Sequence, residues 1–270
     1  MATRFFEEKD HAELYQKYRF VPSEELQKTI FSYLEEKTSK PYKIAVDIGC
    51  GSGQGTRLLA PYFDKVLGID ISEAQINQAK QLPNALNISY IVGSAEKLPL
   101  EDDSVDLLTS FTAIHWFDKV PFLMEVERVL KPHGCVAFSS YLPYIKVYYK
   151  DCSEKLETIV NETMKFLVDS DASGRIKFLE SKYQDVFDSM SFREKNSVRN
   201  IQSKIPMTIN GLLGYIQSLG MYQTLLKTNS ETAKALLKRT ETRLQPSKDR
   251  DYKLGISPNG SHRAFHVVDV

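Results

Sequence analysis

Val46-Asp47-Ile48-Gly49-Cys50-Gly51-Ser52-Gly53 is the stretch on which the reading of this chain turns. The run Lys43–Ile48 (KIAVDI) is short, apolar and ends in a glycine cluster, the pattern of a buried strand turning into a helix. Glycines at such a turn let backbone approach a ligand closely, and the helix start offers free amides to its polar groups. The spacing is GxGxG with an acid, Asp47, two residues ahead of Gly49. A dinucleotide fingerprint would read GxGxxG, and a phosphate-binding P-loop would continue into a lysine that is absent here.

Outward from this turn the pattern alternates. Lys65–Asp70 reads as a second strand, Ser72 as the cap of a helix reaching about Gln81, and Ile88–Val92 as a third strand. Val105–Phe111 reads as a fourth, Phe122–Leu130 as a helix, Lys131-Pro132-His133-Gly134 as a turn and Cys135–Ser139 as a fifth strand. Alternating strands and helices with short connections predict an α/β Rossmann-like fold, doubly wound. Its sheet is expected to be mostly parallel and seven-stranded. Asp70 closes the second strand, where a carboxylate faces the crevice that a ribose would occupy.

The flanks differ. Residues 1–40 read as an N-terminal helical cap, with Leu26, Ile30, Phe31 and Leu34 at helical spacing behind Ser23. Residues 41–140 form the core, and 141–261 read as a helical insertion after the fifth strand. Within it, 150–190 and 210–245 are helical, with Gly211, Gly214 and Gly220 interrupting the latter, and one strand lies near 192–208. Residues 262–270 carry the last strand, all in one domain.

Composition narrows the function. Of 270 residues, 42% are hydrophobic and 26% charged, and 35 basic side chains balance 35 acidic ones, so no global field favours DNA or RNA. No apolar run is long enough to span a membrane, and the start, MATRFFEEKDH, lacks the apolar core of a signal peptide. The three cysteines, Cys50, Cys135 and Cys152, suggest neither a disulfide framework nor a metal site, and a cytoplasmic location is expected.

VDIGCGSG, then GIDIS, then GSAEKLPL, then a strand opening at Asp106 resembles, over about residues 40–140, the class I S-adenosylmethionine-dependent methyltransferases. The layout is similar to their trans-aconitate methyltransferase-like branch, which acts on small molecules. The resemblance implies S-adenosyl-L-methionine as cofactor and S-adenosyl-L-homocysteine as product. It places Gly49, Gly51 and Gly53 along the methionine part, Asp47 toward its amino end and Asp70 on the ribose. Ile71 would pack on the adenine, beside Ser94, Ala95 and Glu96. Many relatives have aspartate where this chain has Ser94, so the adenine amino group would need another partner. Phe111 and Thr112 complete the implied cofactor wall, whereas Asp106 is read as steadying a strand end.

For the acceptor, the segment after the fourth strand lies at the carboxyl edge of the sheet, where ligands collect. His115 there is the candidate base, and Trp116 a candidate pocket wall. Tyr15-Gln16-Lys17-Tyr18-Arg19 resembles the family's N-terminal Y-x-x-x-R-type segment, which makes Tyr18 and Arg19 candidates for touching cofactor or substrate. Ser191–Leu254 holds 12 Lys/Arg against 5 Asp/Glu. A basic lid would suit an anionic acceptor such as a carboxylate, and a solvated basic helix face is the alternative. There is no [DNS]-P-P-[YF] tetrapeptide, no Pro-Cys nucleophile and no metal cluster. The expectation is therefore methyl transfer to a small molecule, without DNA or membrane as partner. A protein or RNA methyltransferase and a non-catalytic cofactor-binding scaffold are the alternatives.

Overall fold

The computed structural model describes residues 6–171, 184–190, 192, 194–198, 201, 205–244, 253–258 and 264–269. The strand–turn–helix around the glycines is β1 (Tyr42–Ile48) and α3 (Gln54–Leu59). It is followed by β2 (Phe63–Asp70), α4 (Glu73–Gln81), β3 (Ile88–Val92), β4 (Val105–Phe111), α5 (Lys119–Val129) and β5 (Leu130–Ser140). These five strands run parallel in the order β3-β2-β1-β4-β5. The sequence anticipated a seven-stranded, mostly parallel sheet. The parallel sheet has five strands, and two more extend it at one edge. Strand β10 (Ala264–Asp269) lies antiparallel beside β5, and β7 (Glu194–Val198) lies antiparallel beside β10.

Every β4 side chain through Ser110 is buried, as befits a central strand covered by helices on both faces. One apolar layer packs Val46, Ile48, Leu67, Ile69 and Leu108 against Phe122 and Val126 of α5. On the other face, Leu26, Ile30 and Leu34 of α2 (Glu24–Lys37) meet Ala45, Val66 and Leu107. Ser23 caps α2, its hydroxyl accepting the Leu26 amide at 3.4 Å, and Ser72 caps α4 by accepting that of Gln75 at 3.2 Å. At the N-terminal end of β4, Asp106 accepts the Lys43 and Ile44 amides and the Lys131 ammonium, each at 2.8 Å.

Four expectations change. The N-terminal cap is two helices, α1 (Lys9–Tyr18) and α2, separated by a segment that contains Pro22. Residues 131–134 are no free turn: they lie in β5, with His133 at φ 67° and a register shift opposite Val105–Leu107. The single strand near 192–208 is two strands in different sheets, β7 in the main sheet and β8 (Ile205–Thr208) in a second one. That second sheet, β6-β9-β8, is antiparallel and joins β6 (Ile145–Tyr148) and β9 (Lys253–Pro258), so the insertion is not purely helical.

The insertion's helices are α6 (Ser153–Asp169), α7 (Gln184–Ser189), α8 (Ile209–Ser218), α9 (Gly220–Thr228) and α10 (Ser230–Leu244). Gly211 and Gly214 sit inside α8, and the chain breaks only at Leu219–Gly220 and again after Thr228. Gly214 has a packing reason: a side chain there would meet the Tyr18 ring at 2.5 Å. This places α1 directly against α8 and roofs the carboxyl edge of the sheet.

Candidate functional site

The glycine loop takes its shape from left-handed backbone. Gly49, Gly51 and Gly53 have φ of 64°, 54° and 81°, a region that side chains disfavour. At Gly49 a side-chain carbon would also come within 2.5 Å of Ala113, and at Gly53 within 2.3 Å of the Tyr90 hydroxyl. The Gly49 amide donates to the Ile69 carbonyl at 2.8 Å, and the Gly51 amide to the Asp70 carboxylate at 2.8 Å. Asp70 also accepts the Ser72 amide at 2.8 Å. One carboxylate thus ties the loop after β1 to the start of α4. Burial pushes its pKa up, and the two amides oppose that.

A cavity of about 190 Å³ opens over this loop. Its sheet side is formed at the strand ends by Gly49, Gly51, Asp70, Ile71, Ala95 and Glu96, with Thr112 from the turn after β4. The other side carries His115 and Trp116, Tyr141 after β5, and Tyr215 and Met221 from the roof. A smaller compartment adjoins it, sharing Tyr15, Arg19, Gly49, Thr112 and Tyr141, and reaches Asp47, Gln54, Phe111 and Ser140.

Asp47 is 1% exposed and accepts two hydroxyls, Thr56 at 2.8 Å and Thr109 at 3.0 Å. Burial pushes its pKa up to about 7, against the pull of those two bonds. Arg19 reaches the Tyr141 hydroxyl at 3.4 Å and the Ser218 carbonyl at 3.2 Å, with its guanidinium 4.7 Å from the Tyr15 ring centre. Its Nε and the Gln54 Nε2 are buried without hydrogen-bond partners. Buried polar groups in this state ask for a ligand or water.

Most of the residues expected from sequence converge on these two compartments, and three do not. Tyr18 turns away into the packing of α1 on α8; Tyr15, one helical turn earlier, faces the cavity instead. Tyr15 and Arg19 lie four apart and so share one face of the helix, which was the signal available for Tyr15. Ser94 is not among the wall residues, and its hydroxyl bonds the Glu96 carboxylate. Glu96 holds the turn after β4 by accepting the Asp118 amide at 2.8 Å. Gly53 lies outside both compartments and closes the loop on the Cys50 carbonyl at 3.0 Å. Phe6, Gln54, Tyr141 and Tyr215 were missed, since nothing local in their sequence says that separate segments meet here.

The described Lys and Arg residues of Ser191–Leu254 do not line the cavity, and Arg193, Arg199, Lys204, Lys248, Arg250 and the Lys253 side chain lie outside the described residues. The cavity-facing residues from α8 through α9 are uncharged, among them Tyr215, Leu219, Met221 and Thr224, while Asp171 after α6 adds an acid to the wall. Lys227, Lys238 and Arg243 instead pair on the outside with Glu8, Glu241 and Glu162. Among the described residues no His, Cys, Asp and Glu cluster could hold a metal ion, and no helix is long and apolar enough to cross a membrane.

A parallel sheet with a GxGxG turn on its first strand and an acid ending its second defines a class I methyltransferase architecture. Comparison with known proteins agrees. Residues 46–138 match the methyltransferase domain family. A candidate methyltransferase of Dictyostelium discoideum is 31% identical over 240 residues, spanning 89% of this chain and 86% of that protein. A Saccharomyces cerevisiae protein named for S-adenosylmethionine-dependent methyl transfer is 35% identical over 121 residues, 40% of this chain and 42% of that one. A solved structure of a candidate type II methyltransferase from Anaeromyxobacter dehalogenans shares the fold, with a TM-score of 0.63 at 24% identity over 89% of this chain and 95% of the other. The chain belongs to the methyltransferase domain family, and its cofactor is S-adenosylmethionine.

Proposed function

We propose that the two compartments hold the two ends of the cofactor and that the acceptor is a small molecule. The smaller compartment offers two unpartnered donors, Arg19 Nε and Gln54 Nε2, and one buried carboxylate, Asp47. That set complements a zwitterion: donors for a carboxylate, an acid for an ammonium. Asp70 would take the ribose hydroxyls with its remaining lone pairs, and Ile71 and Ala95 would flank the adenine. When bound, S-adenosylmethionine supplies a methyl group on a positively charged sulfur.

The observation that carries the acceptor reading is the lining of the cavity by rings from four separate segments: Phe6, Trp116, Tyr141 and Tyr215. Such walls suit a small, largely apolar body. The chain's own part in the reaction is then to hold the nucleophile in line and exclude water. His115, in the turn Ile114–Trp116, would take the proton of a hydroxyl acceptor. A carboxylate acceptor needs no base, and among the described residues Arg19 is the basic side chain on the cavity wall that supports it. The trans-aconitate methyltransferase-like placement belongs to this proposal and is supported by the helical N terminus and the large insertion.

Incubating an extract of the source cells with the enzyme and radiolabelled cofactor tests this. Label should enter the small-molecule fraction, and label confined to protein or RNA would refute the proposal. With the acceptor in hand, His115→Ala should lower kcat by about 10²–10⁴ for a hydroxyl acceptor, with cofactor affinity unchanged.

A further inference from the structure

We propose that Phe6 is a working wall of this site and that the Ser72 hydroxyl is the residue that positions it, so that the N-terminal strap controls release of the cofactor product. The inference rests on the cofactor placement proposed above. Phe6 holds a left-handed backbone, φ 65°, which a bulky residue adopts only when its surroundings impose it. Those surroundings are visible. Its ring stacks on His11 at 4.7 Å and meets Tyr15 and Trp116 edge-on at 5.5 and 5.7 Å. Its carbonyl accepts the Ser72 hydroxyl at 2.8 Å.

Ser72 is therefore shared. Its hydroxyl oxygen caps α4 by accepting the Gln75 amide, its proton goes to Phe6, and its own amide is held by Asp70. The strap is fastened at the ribose end of the site. Beyond it, α1 lies over the glycine loop, since a side chain at Gly51 would meet the Tyr15 ring at 3.2 Å. The far end is tied to the roof, where the Ser218 carbonyl accepts both His11 Nε2 at 3.0 Å and Arg19 at 3.2 Å. Residues 6–19 thus cross the cofactor half of the cavity while Phe6 completes the acceptor half through Trp116. A ligand on Asp70 leaves only when this strap lifts, and lifting it opens the acceptor wall as well. Such a step commonly limits turnover.

Trp116 is the only tryptophan of the chain and reports on the Phe6 contact. The full-length protein is loaded with radiolabelled S-adenosylhomocysteine, release is followed after a chase with unlabelled ligand, and tryptophan emission is recorded in parallel. Phe6→Ala should accelerate release by up to about tenfold, the worth of one lost contact or hydrogen bond, with unchanged far-ultraviolet circular dichroism. It should also abolish the change in emission that accompanies release. Ser72→Ala should accelerate release similarly, and Ser72→Thr, which keeps a hydroxyl, should restore it. Equal release from wild type and Phe6→Ala would overturn the strap while leaving the cofactor site intact. Fast release from Ser72→Ala alone would also overturn it, because α4 capping would then be the cause. Failure of S-adenosylhomocysteine to bind at all would overturn both the strap and the cofactor placement.

Discussion

Two aspartates at the glycine loop do different work at the scale of single residues. Asp70 holds the loop amide of Gly51 and the Ser72 amide while facing the cavity. Asp70→Ala should weaken S-adenosylhomocysteine binding by about 1.5–3 kcal/mol, the range for bonds to a charged group, read by isothermal titration calorimetry. An unchanged affinity would mean that the ribose partner is another group. Asp47 has a different signature, because burial pushes its pKa up to about 7. A carboxyl whose folded pKa lies above its unfolded value contributes stability that is full below the ordinary carboxylate range and lost as pH rises through about 7. In the ligand-free protein, Asp47→Asn should therefore raise the melting temperature at pH 8 and have little such effect at pH 4. A ligand ammonium reverses the sign by favouring the ionised form. Wild-type affinity for S-adenosylhomocysteine should accordingly climb between pH 5 and 8, and that slope should flatten in Asp47→Asn.

At the scale of elements, the loop and the second sheet show backbone and side chains sharing the work. Gly49→Ala would force a side chain into left-handed backbone and against Ala113, and crowding alone costs about 1–3 kcal/mol. The variant should melt lower and lose its response to cofactor. In the insertion, β6 is an edge strand whose outer side faces α6. Ser153, Glu157 and Asn161 of α6 accept the amides of Tyr149, Val147 and Ile145 at 2.7, 3.3 and 3.2 Å. The match is geometric: four helical residues rise about 6 Å and two strand residues about 6.6 Å, so a period of four in one reads a period of two in the other. Asn161 also donates to the Ile145 carbonyl at 3.1 Å. Asn161→Ala should cost about 1–3 kcal/mol in urea unfolding, the penalty for partly buried groups left unpaired. A bared strand edge also invites association, so that variant should aggregate faster.

For the whole molecule, the test is ligand-linked stability. S-adenosylhomocysteine at about 100 times its dissociation constant should add about 2.7 kcal/mol to unfolding, and NAD should add nothing, which differential scanning fluorimetry would register. A rise with NAD alone would refute the reading of the GxGxG turn.

The sequence determined what local chemistry determines. Strand–turn–helix punctuation, the two capping serines, the positive φ required of Gly49 and Gly51, and the acids at the ends of β1 and β2 are all short-range facts. So is the parallel order that alternating elements impose, and the cofactor follows from these together. Only the tertiary structure decided that the face of α1 carrying Tyr15 and Arg19, and not Tyr18, looks into the cavity. Only it divided 192–208 between two sheets and paired Lys227, Lys238 and Arg243 on the outside. It also brought Phe6, Trp116, Tyr141 and Tyr215 together around one space. The reason is physical: those placements come from contacts between segments tens to hundreds of residues apart, chosen by packing and burial rather than by any local preference of the chain.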